Sequence, residues 1–257
     1  SGTAQAGMAL MASQTGARML SNMEFFTGLA MKIADSIGID GFLHVQEKLG
    51  EMISHLEVAR SVFWGSAAMG VEGPGGIWTL GGFGPRAFHL QTMRIYRRMV
   101  EIVQILSAGG FFSIPTEADM ANPEIRPYMD KYLRGRAGVT AEERVKLFKL
   151  AWDVTGEAFG QRMQQYVHYY SGDPIRLTAA VYLRYNKQPF FDIVDRALGN
   201  GQDIPIPYGP NEIGAPPIFQ GSDPTKLAHA YPAASLPNPS RKPGPNDSMQ
   251  PKKRGSF

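Results

Sequence analysis

Hydrophobic residues in the first seventy positions recur at steps of three and four, which is the spacing of one face of an α-helix. The first stripe comprises Met19, Met23, Phe26, Ala30, Ile33 and Ile37, and the second comprises Phe42, Val45, Leu49, Met52, Leu56, Ala59 and Phe63. Gly38 is expected to end the first helix, and Asp40 is expected to cap a second helix that stops by Gly70. Two long helices with so short a connection pack antiparallel.

A third helix is predicted after a glycine-rich loop. Residues 71–85 hold too many glycines and prolines for a regular element. Pro85 suits the first turn of a helix that continues to about Leu106. The inner face of this helix would carry Leu90, Met93, Val100 and Val103. The segment then reaches two adjacent glycines, Gly109 and Gly110.

A fourth long helix is predicted in the second half of the chain, after a short helix at 123–133. Thr140 and Glu143 have the spacing of a capping box, in which each side chain bonds the other residue's backbone amide. The apolar positions continue from there to Tyr170, at Phe148, Trp152, Thr155, Phe159, Met163, Tyr166 and Tyr170. These positions predict one continuous helix.

Gly172 is expected to end that helix in a left-handed conformation. Asp173 and Pro174 then restart a helix as its cap and first turn, and a further short helix is expected at 190–198. No segment alternates with the period of a half-buried strand. The predicted fold is therefore all-α, a bundle of four long helices that occupies residues 1–200.

The last part of the chain, residues 201–257, has a different composition. Twelve of the nineteen prolines lie between Pro205 and Pro251, and no helical stripe is present. Its first half is apolar enough that we expect 204–231 to be ordered against another subunit. The end from Pro237 is expected to be mobile, and it carries a cluster of basic residues.

Composition narrows the class of protein. The chain is 43% hydrophobic and 19% charged, as in an ordinary globular protein. It has no cysteine, which excludes disulfides and thiolate metal sites. The net charge of +3 comes largely from the basic tail, and no apolar run reaches the roughly 20 residues of a membrane span. We expect a cytoplasmic protein that binds neither nucleic acid nor membranes.

No catalytic or metal-binding constellation is recognisable. The five histidines show no metal-ligand spacing, so no metal is assigned and the catalytic residues stay unknown. His168 lies near the end of the fourth helix, where a partly buried histidine satisfied by a neighbour is favoured over a catalytic role.

Two segments remain as candidate binding sites. Gly109 and Gly110 are explained either by a helix ending or by a close approach of the backbone to a flat or anionic ligand. Residues 171–176 place Arg176 one turn from the amides of a new helix, which suits a phosphate, although a capped turn explains the segment equally well. Neither segment decides the question alone.

Long stretches of the chain resemble one known family. They include "PTEADMANPEIRPYMDKYL" and "SGDPIRLTAAVYLRY", and the similarity runs from about Gln14 to Leu198. The family is that of the oxygenase component of 4-hydroxyphenylacetate 3-monooxygenase, and the chain is similar to its C-terminal domain. The resemblance implies the helical bundle of an acyl-CoA dehydrogenase-like fold, assembled as tetramers.

The resemblance also implies a reaction. Members of this family use reduced FAD delivered by a separate flavin reductase, and they hydroxylate a phenol beside its hydroxyl group. FMN is the alternative cofactor. In the wider fold a glutamine and a glycine pair at a helix end pack against the flavin of a neighbouring subunit, a pattern that Gln104, Gly109 and Gly110 match. The second implied flavin contact comprises Gly172, Asp173, Pro174, Ile175 and Arg176.

The family's N-terminal helical domain and β-barrel domain, which carry the phenol-binding residues, have no counterpart in this sequence. The chain is expected to be either one subunit of a split enzyme or a fragment of a longer chain, and to work in a homo- or hetero-oligomer. Two other functions remain: a non-catalytic scaffold subunit, and a flavin-dependent dehydratase like 4-hydroxybutyryl-CoA dehydratase. The dehydratase is disfavoured because its iron–sulfur cluster needs cysteine ligands.

Overall fold

The computed structural model describes residues 2–72, 75–81 and 84–200 of the chain. Its elements, in order, are α1 (Gly2–Ile37), α2 (Leu43–Ala68), β1 (Val71–Glu72), β2 (Trp78–Thr79), α3 (Gly84–Ser107), a 3₁₀ turn (Ala108–Phe111), α4 (Glu117–Ala121), α5 (Arg126–Tyr132), α6 (Ala141–Thr155), α7 (Ala158–Tyr169), α8 (Pro174–Arg184) and α9 (Gln188–Ala197). The all-α class is confirmed. Everything predicted for residues 201–257 lies outside the described residues.

Helix α3 is the centre of the bundle. It contacts α1, α2, α6, α7 and α8, and the side chains on its inner face are almost completely buried, among them Met99, Ile102 and Val103. The ring of Phe26 on α1 meets the ring of Tyr96 edge-on at 5.3 Å. On the outside, Arg98 joins α3 to α2 through a two-pronged ion pair with Glu51, at 2.7 and 2.8 Å. Because so many elements pack on α3, it fixes the position of both candidate sites.

The boundaries of the first two helices test two predictions. Gly38 has the left-handed backbone, with φ of +73°, that ends α1, as predicted. The prediction of Asp40 as the cap of α2 is wrong. Phe42 is the N-cap and makes no side-chain capping bond, while the Asp40 carbonyl accepts a hydrogen bond from Gln46 Nε2 at 3.1 Å. The chain makes a short turn between Gly38 and Phe42, and the turn moves the start of α2 beyond the reach of Asp40.

The glycine-rich loop contains a small hairpin that the sequence did not predict. Val71 pairs with Thr79 and Glu72 with Trp78 in an antiparallel register. Gly75 and Gly76 both have positive φ, +81° and +75°, which lets the chain reverse between the strands. Two residues per strand are too short to show period-two alternation, so the pattern could not reveal them.

The segment predicted as one continuous fourth helix forms two helices, so the predicted continuity is wrong. Helix α6 ends at Thr155, and Glu157 caps α7 by accepting a hydrogen bond from the Ala158 amide. At the break, a Cβ on Gly156 would lie 2.7 Å from the ring of Trp152 and 3.0 Å from that of Phe111. The glycine thus lets the backbone pass two aromatic rings. The capping box at Thr140 is confirmed, since Glu143 accepts from the Thr140 amide and donates its own amide to the Thr140 hydroxyl.

Candidate functional site

The first candidate corner is the turn that holds the glycine pair at the end of α3. The expected glycine cap is wrong, because the left-handed residue is Ala108, with φ of +44°, and neither glycine has a positive φ. Both glycines lie inside the 3₁₀ turn. The Gly109 carbonyl accepts hydrogen bonds from the amides of Phe112 and Ser113, at 3.2 and 3.3 Å. A requirement for a left-handed backbone therefore does not explain this pair.

The two glycines meet different surroundings. A Cβ on Gly110 would lie 2.8 Å from the ring of Phe148 and 3.2 Å from Nη2 of Arg144, so close packing on α6 requires a glycine there. A Cβ on Gly109 would meet nothing within 4 Å, and this residue is exposed. Packing within the described chain accounts for Gly110 only. Gly109 leaves its backbone open to a group outside the described residues.

A pocket of about 110 Å³ lies beside this turn. Both glycines line it, together with Tyr132 of α5 and Val145 and Arg144 of α6. Among the described residues that line the pocket, only Arg144 is charged. Its Nη1 lies 3.4 Å from the carbonyl oxygens of Leu133 and Arg134, and its guanidinium lies 5.1 Å from the ring centre of Phe148.

Gln104 lies on the inner side of the same corner. Its Nε2 is 3.5 Å from the carbonyl oxygen of Thr155, which also accepts from Gln161 at 2.9 Å and Gln164 at 3.4 Å. This carbonyl ends α6 and has lost its helical partner at the break. Gln104 therefore links α3 to the junction of α6 and α7. Its predicted role as a flavin contact stays a prediction.

The second candidate corner joins α7 to α8, and its local structure is as predicted. Gly172 has a φ of +116° and follows the end of α7. Asp173 caps α8, its Oδ1 accepting from the Ile175 amide at 3.0 Å, and Pro174 occupies the first turn. Ile175 and Arg176 project outward: Ile175 is 78% exposed, and the side chain of Arg176 is 90% exposed.

The Asp173 carboxylate already supplies the negative charge at the start of α8. Its Oδ2 lies 3.8 Å from Nε of Arg176, a weak contact at such exposure. An incoming phosphate would therefore be recognised by Arg176 and the turn at Gly172 rather than by the helix terminus. The flavin role of these residues stays a prediction.

The structure does not bring the two corners together. The first follows the last residue of α3, whereas Tyr170 at the second corner stacks on His89 near the start of α3, with ring centres 5.9 Å apart. The twenty residues from His89 to Gly109 rise about 1.5 Å each, which separates the corners by roughly 30 Å along the bundle. A single small ligand does not contact both.

A cluster beside the second corner was missed by the sequence reasoning. The Arg18 guanidinium of α1 lies 4.7 Å and 4.4 Å from the ring centres of Tyr166 and Tyr170. Its Nε and Nη1 are shielded from solvent and find no hydrogen-bond acceptor in the described part of the chain. Burial lowers the pKa of the neighbouring His89, and the charges of Arg18 and Arg86 lower it further. Three helices contribute to this cluster, so no local spacing could signal it.

His168 differs from its expected state. Its Nδ1 is buried and has no hydrogen-bond partner among the described residues, so the expected satisfied histidine is wrong. The imidazole instead meets the ring of Tyr169 edge-on at 4.4 Å. Burial, and to a smaller degree the charge of Arg97, lowers the pKa of His168.

The described residues contain neither a candidate metal site nor a candidate membrane span. Within the described residues, no group of histidine and carboxylate side chains has the arrangement of a metal site. None of the helices that the structure describes has the length and apolar character needed to cross a membrane.

Comparisons with known proteins agree with one another. The family model described as HpaB, 4-hydroxyphenylacetate 3-hydroxylase C terminal, matches residues 3–199. A relative from Thermus thermophilus, the 4-hydroxyphenylacetate 3-monooxygenase oxygenase component, is 36% identical over 180 residues, which are 70% of this chain and 37% of that protein. A crystal structure of HpaB with FAD and 4-hydroxyphenylacetate superposes with a TM-score of 0.70 at 34% identity, over 75% of this chain and 40% of the other.

A more distant structure shares only the fold. It is an archaeal 4-hydroxybutyryl-CoA dehydratase from N. maritimus, 21% identical, with a TM-score of 0.64 over 76% of this chain and 40% of that one. The chain spans about two fifths of the length of the curated relatives it matches. Since the family model covers more than half of the residues, the chain belongs to the 4-hydroxyphenylacetate 3-hydroxylase C-terminal family.

Proposed function

We propose that the chain is a subunit, or the C-terminal part, of a two-component monooxygenase that uses reduced FAD to hydroxylate a phenol. Its bundle would complete the flavin pocket and the core of the oligomer. Relatives that are named oxygenase components, and a solved relative crystallised with FAD and a phenol, support this function. The observation that carries the proposal is Gly109, an exposed glycine that packing within the described chain does not explain.

The residues of both corners fit a flavin in different ways. At the first corner, the open space above Gly109 lets a flat ring or a phosphate approach the backbone. At the second, Arg176 presents an exposed guanidinium that suits a phosphate group of the flavin. Reduced flavin, when bound, supplies the two electrons that activate oxygen. The role of the bundle is to position the cofactor and to exclude water around it.

The separation of the corners constrains the assembly. One flavin does not span the roughly 30 Å between them, so each corner would meet a different flavin molecule. Each flavin would then lie between bundles of two chains, which requires an oligomer. The phenol site and the remaining flavin contacts would come from the polypeptide that carries the N-terminal helical and β-barrel domains. A separate reductase would deliver the reduced flavin.

An anaerobic titration of reduced FAD tests the proposal. The titration uses the chain assembled with the polypeptide that carries the other domains, and it compares Gly109→Leu with the unchanged chain. A leucine projects into the open space, so we expect about tenfold weaker flavin binding, with little change in melting temperature because a Cβ at this position meets no described atom within 4 Å. Equal affinities for the two proteins would remove Gly109 from the flavin site.

The scaffold function is the second candidate, and one observation favours it. The apolar side chains of α8 and α9 are largely exposed, as a surface that docks on another polypeptide would be. The titration separates the two functions. A scaffold would leave flavin affinity unchanged in both Gly109→Leu and Arg176→Gln, whereas a shared flavin pocket loses affinity in both. The dehydratase reaction is not favoured, since the chain has no cysteine for an iron–sulfur cluster.

A further inference from the structure

Four residues at the corner between α8 and α9 form an exposed aromatic patch. The rings of Tyr185, in the connection, and Phe190, in the first turn of α9, have their centres 5.7 Å apart. The ammonium group of Lys187 lies 4.5 Å from the ring centre of Tyr182, in the last turn of α8. The same ammonium group lies 3.4 Å from the carbonyl oxygen of Tyr185. Lys187 therefore connects Tyr182 to the other two rings, and we call these four residues the aromatic patch.

No other part of the described chain covers the aromatic patch. Tyr182 is 67% exposed, Phe190 is 52% exposed and Tyr185 is 41% exposed. Helix α8 packs on α3, whereas α9 makes no comparable contact with any element that the structure describes. No carboxylate of the described residues forms an ion pair with Lys187. The patch thus presents three rings and one positive charge to a group outside the described residues.

The sequence that follows α9 has the chemistry that such a patch binds. Residues 205–210 read "PIPYGP", and the acidic residues Asp203 and Glu212 flank them. Each proline fixes φ near about −65° and lacks an amide hydrogen, so this stretch favours the extended polyproline II form over a helix or a strand. Segments with prolines three residues apart, as Pro207 and Pro210 are, bind aromatic surfaces in this form. Little order is lost on binding, because the prolines already restrict the free segment.

The chain turns where α9 ends, and the link is long enough to return to the patch. Gly199 has a φ of +74°, and the amides of Gly199 and Asn200 donate to the carbonyls of Arg196 and Asp195, at 3.0 and 2.9 Å. This Schellman motif turns the chain away from the helix axis. The ten residues of α9 rise about 15 Å. Pro207 follows Asn200 by seven residues, which span about 22 Å when extended.

We propose that residues 203–212 fold back and dock on the aromatic patch of their own chain. The prolines and Tyr208 lie against the three rings, and an acidic flank lies beside Lys187. The segment comes from the same chain rather than from a second copy because so short a link holds it near the patch at an effective concentration on the order of millimolar.

This docking leaves other surfaces for the assembly. Phe191 and Leu198 lie at the other edge of the apolar face of α9, and they remain available to another polypeptide. Residues 213–231 remain for the contact with another subunit that the sequence leads us to expect. The inference does not depend on flavin binding, so the proposed function stands if it fails.

Digestion of the full chain with chymotrypsin tests the inference, because the protease cuts after Tyr208 only when the segment has left the patch. Phe190→Ser and Tyr182→Ser each remove a ring of the patch and are each expected to raise the rate of cutting after Tyr208 about tenfold. Phe191→Ser is the matched control, since Phe191 is also 52% exposed but lies about 100° around the helix from Phe190. It is expected to leave the rate unchanged. Mass spectrometry of the fragments measures each rate.

The same digestion shows which other group covers the patch if the inference fails. Equal rates in the unchanged chain and in both ring variants overturn it, and so does an equal increase in Phe191→Ser, which would mean that opening of α9 exposes Tyr208. A rate that rises when the unchanged chain is diluted identifies a second copy as the occupant. Slow cutting that requires the polypeptide with the other domains identifies that polypeptide instead. Thermal melts show whether each variant is folded, and Tyr182→Ser carries the test if Phe190→Ser is not.

Discussion

At the scale of single residues, the glycine pair shows how one sequence feature can have two causes. Gly110 is needed because α6 packs against it, whereas Gly109 borders open space. The two glycines look equivalent in the sequence, and only the position of the Phe148 ring distinguishes their roles. The same limit applies to Arg18, whose neighbours Tyr166 and Tyr170 lie 148 and 152 residues later in the chain. Sequence could nominate the turn as a site, but tertiary packing decides what each glycine does.

The different surroundings of the two glycines predict different stabilities for a matched pair of substitutions. Gly110→Ala places a methyl group 2.8 Å from the Phe148 ring and is expected to lower the free energy of unfolding by about 1 to 3 kcal/mol. Gly109→Ala meets nothing and is expected to change it by less than about 0.5 kcal/mol. Urea denaturation of both variants measures the difference. Similar losses in the two would mean that the turn does not pack as described.

His89 predicts a dependence of stability on pH. Its pKa is lowered below the ordinary 6.5 in the folded chain, first by burial and then by Arg18 and Arg86. The unfolded chain therefore binds a proton more readily, so this contribution is present above pH 6.5 and is lost as the pH falls below it. His89→Gln is expected to reduce the fall in melting temperature between pH 7.5 and 5.5. His89→Gln is not expected to abolish this fall, because the pKa of His168 is also lowered and its contribution to stability is also lost at low pH.

The exposed His44 provides the control for this experiment. His44→Gln is expected to leave the pH dependence of the melting temperature as it is in the unchanged chain. If the melting temperature of His89→Gln falls between pH 7.5 and 5.5 as steeply as that of His44→Gln, burial of His89 does not contribute to the pH dependence of stability.

At the scale of elements, local chemistry predicted the helices better than their continuity. The stripes located every long helix, and the caps at Thr140 and Asp173 were correct. The sequence pattern does not reveal the break at Gly156, because the apolar stripe continues across it from Trp152 to Phe159. A glycine inside a helical pattern is common, and only its position against Trp152 and Phe111 makes it a break. The short hairpin was hidden for a similar reason, since it is shorter than any recognisable period.

The two capping boxes give a matched test at this scale. Thr140→Ala removes the cap of α6, which buries Phe148 and Ala151, and is expected to lower the free energy of unfolding by about 1 kcal/mol. Thr116→Ala removes the same motif from α4, a five-residue helix with no buried residue, and is expected to have a smaller effect on global unfolding. Denaturant titrations measure both free energies of unfolding. Equal losses in the two variants would show that the effect of a cap does not depend on how well its helix is packed.

At the scale of the whole molecule, the chain exposes an apolar surface of the kind that contacts other parts of an assembly. It spans about two fifths of its curated relatives, and its last two helices expose large apolar side chains. They are Ile175, Tyr182, Leu183, Phe190, Phe191, Ile193, Val194 and Leu198. On α9 the exposed apolar residues recur at helical spacing and share one face, and burying that face requires contact with a group outside the described residues. We expect α8 and α9 to dock on the rest of the assembly.

Placing a charge on this apolar surface tests that expectation. Phe191→Glu places a carboxylate at a half-exposed apolar position of α9 and is expected to weaken assembly, because an unpaired charge would be buried on docking. Light scattering coupled to size-exclusion chromatography measures the loss of the oligomer. Gln165→Glu introduces the same charge at an exposed polar position of α7 and is expected to have no effect. Loss of assembly in both variants would indicate sensitivity to net charge rather than to this surface.

The central claim is that the two corners of the bundle each meet a flavin held chiefly by another polypeptide. A structure of the complete assembly with FAD bound tests it most directly. We expect one flavin in contact with the backbone at Gly109 and another flavin, roughly 30 Å away along the same chain, beside Gly172 and Arg176. Both corners facing solvent or apolar side chains, with every flavin elsewhere, would contradict it.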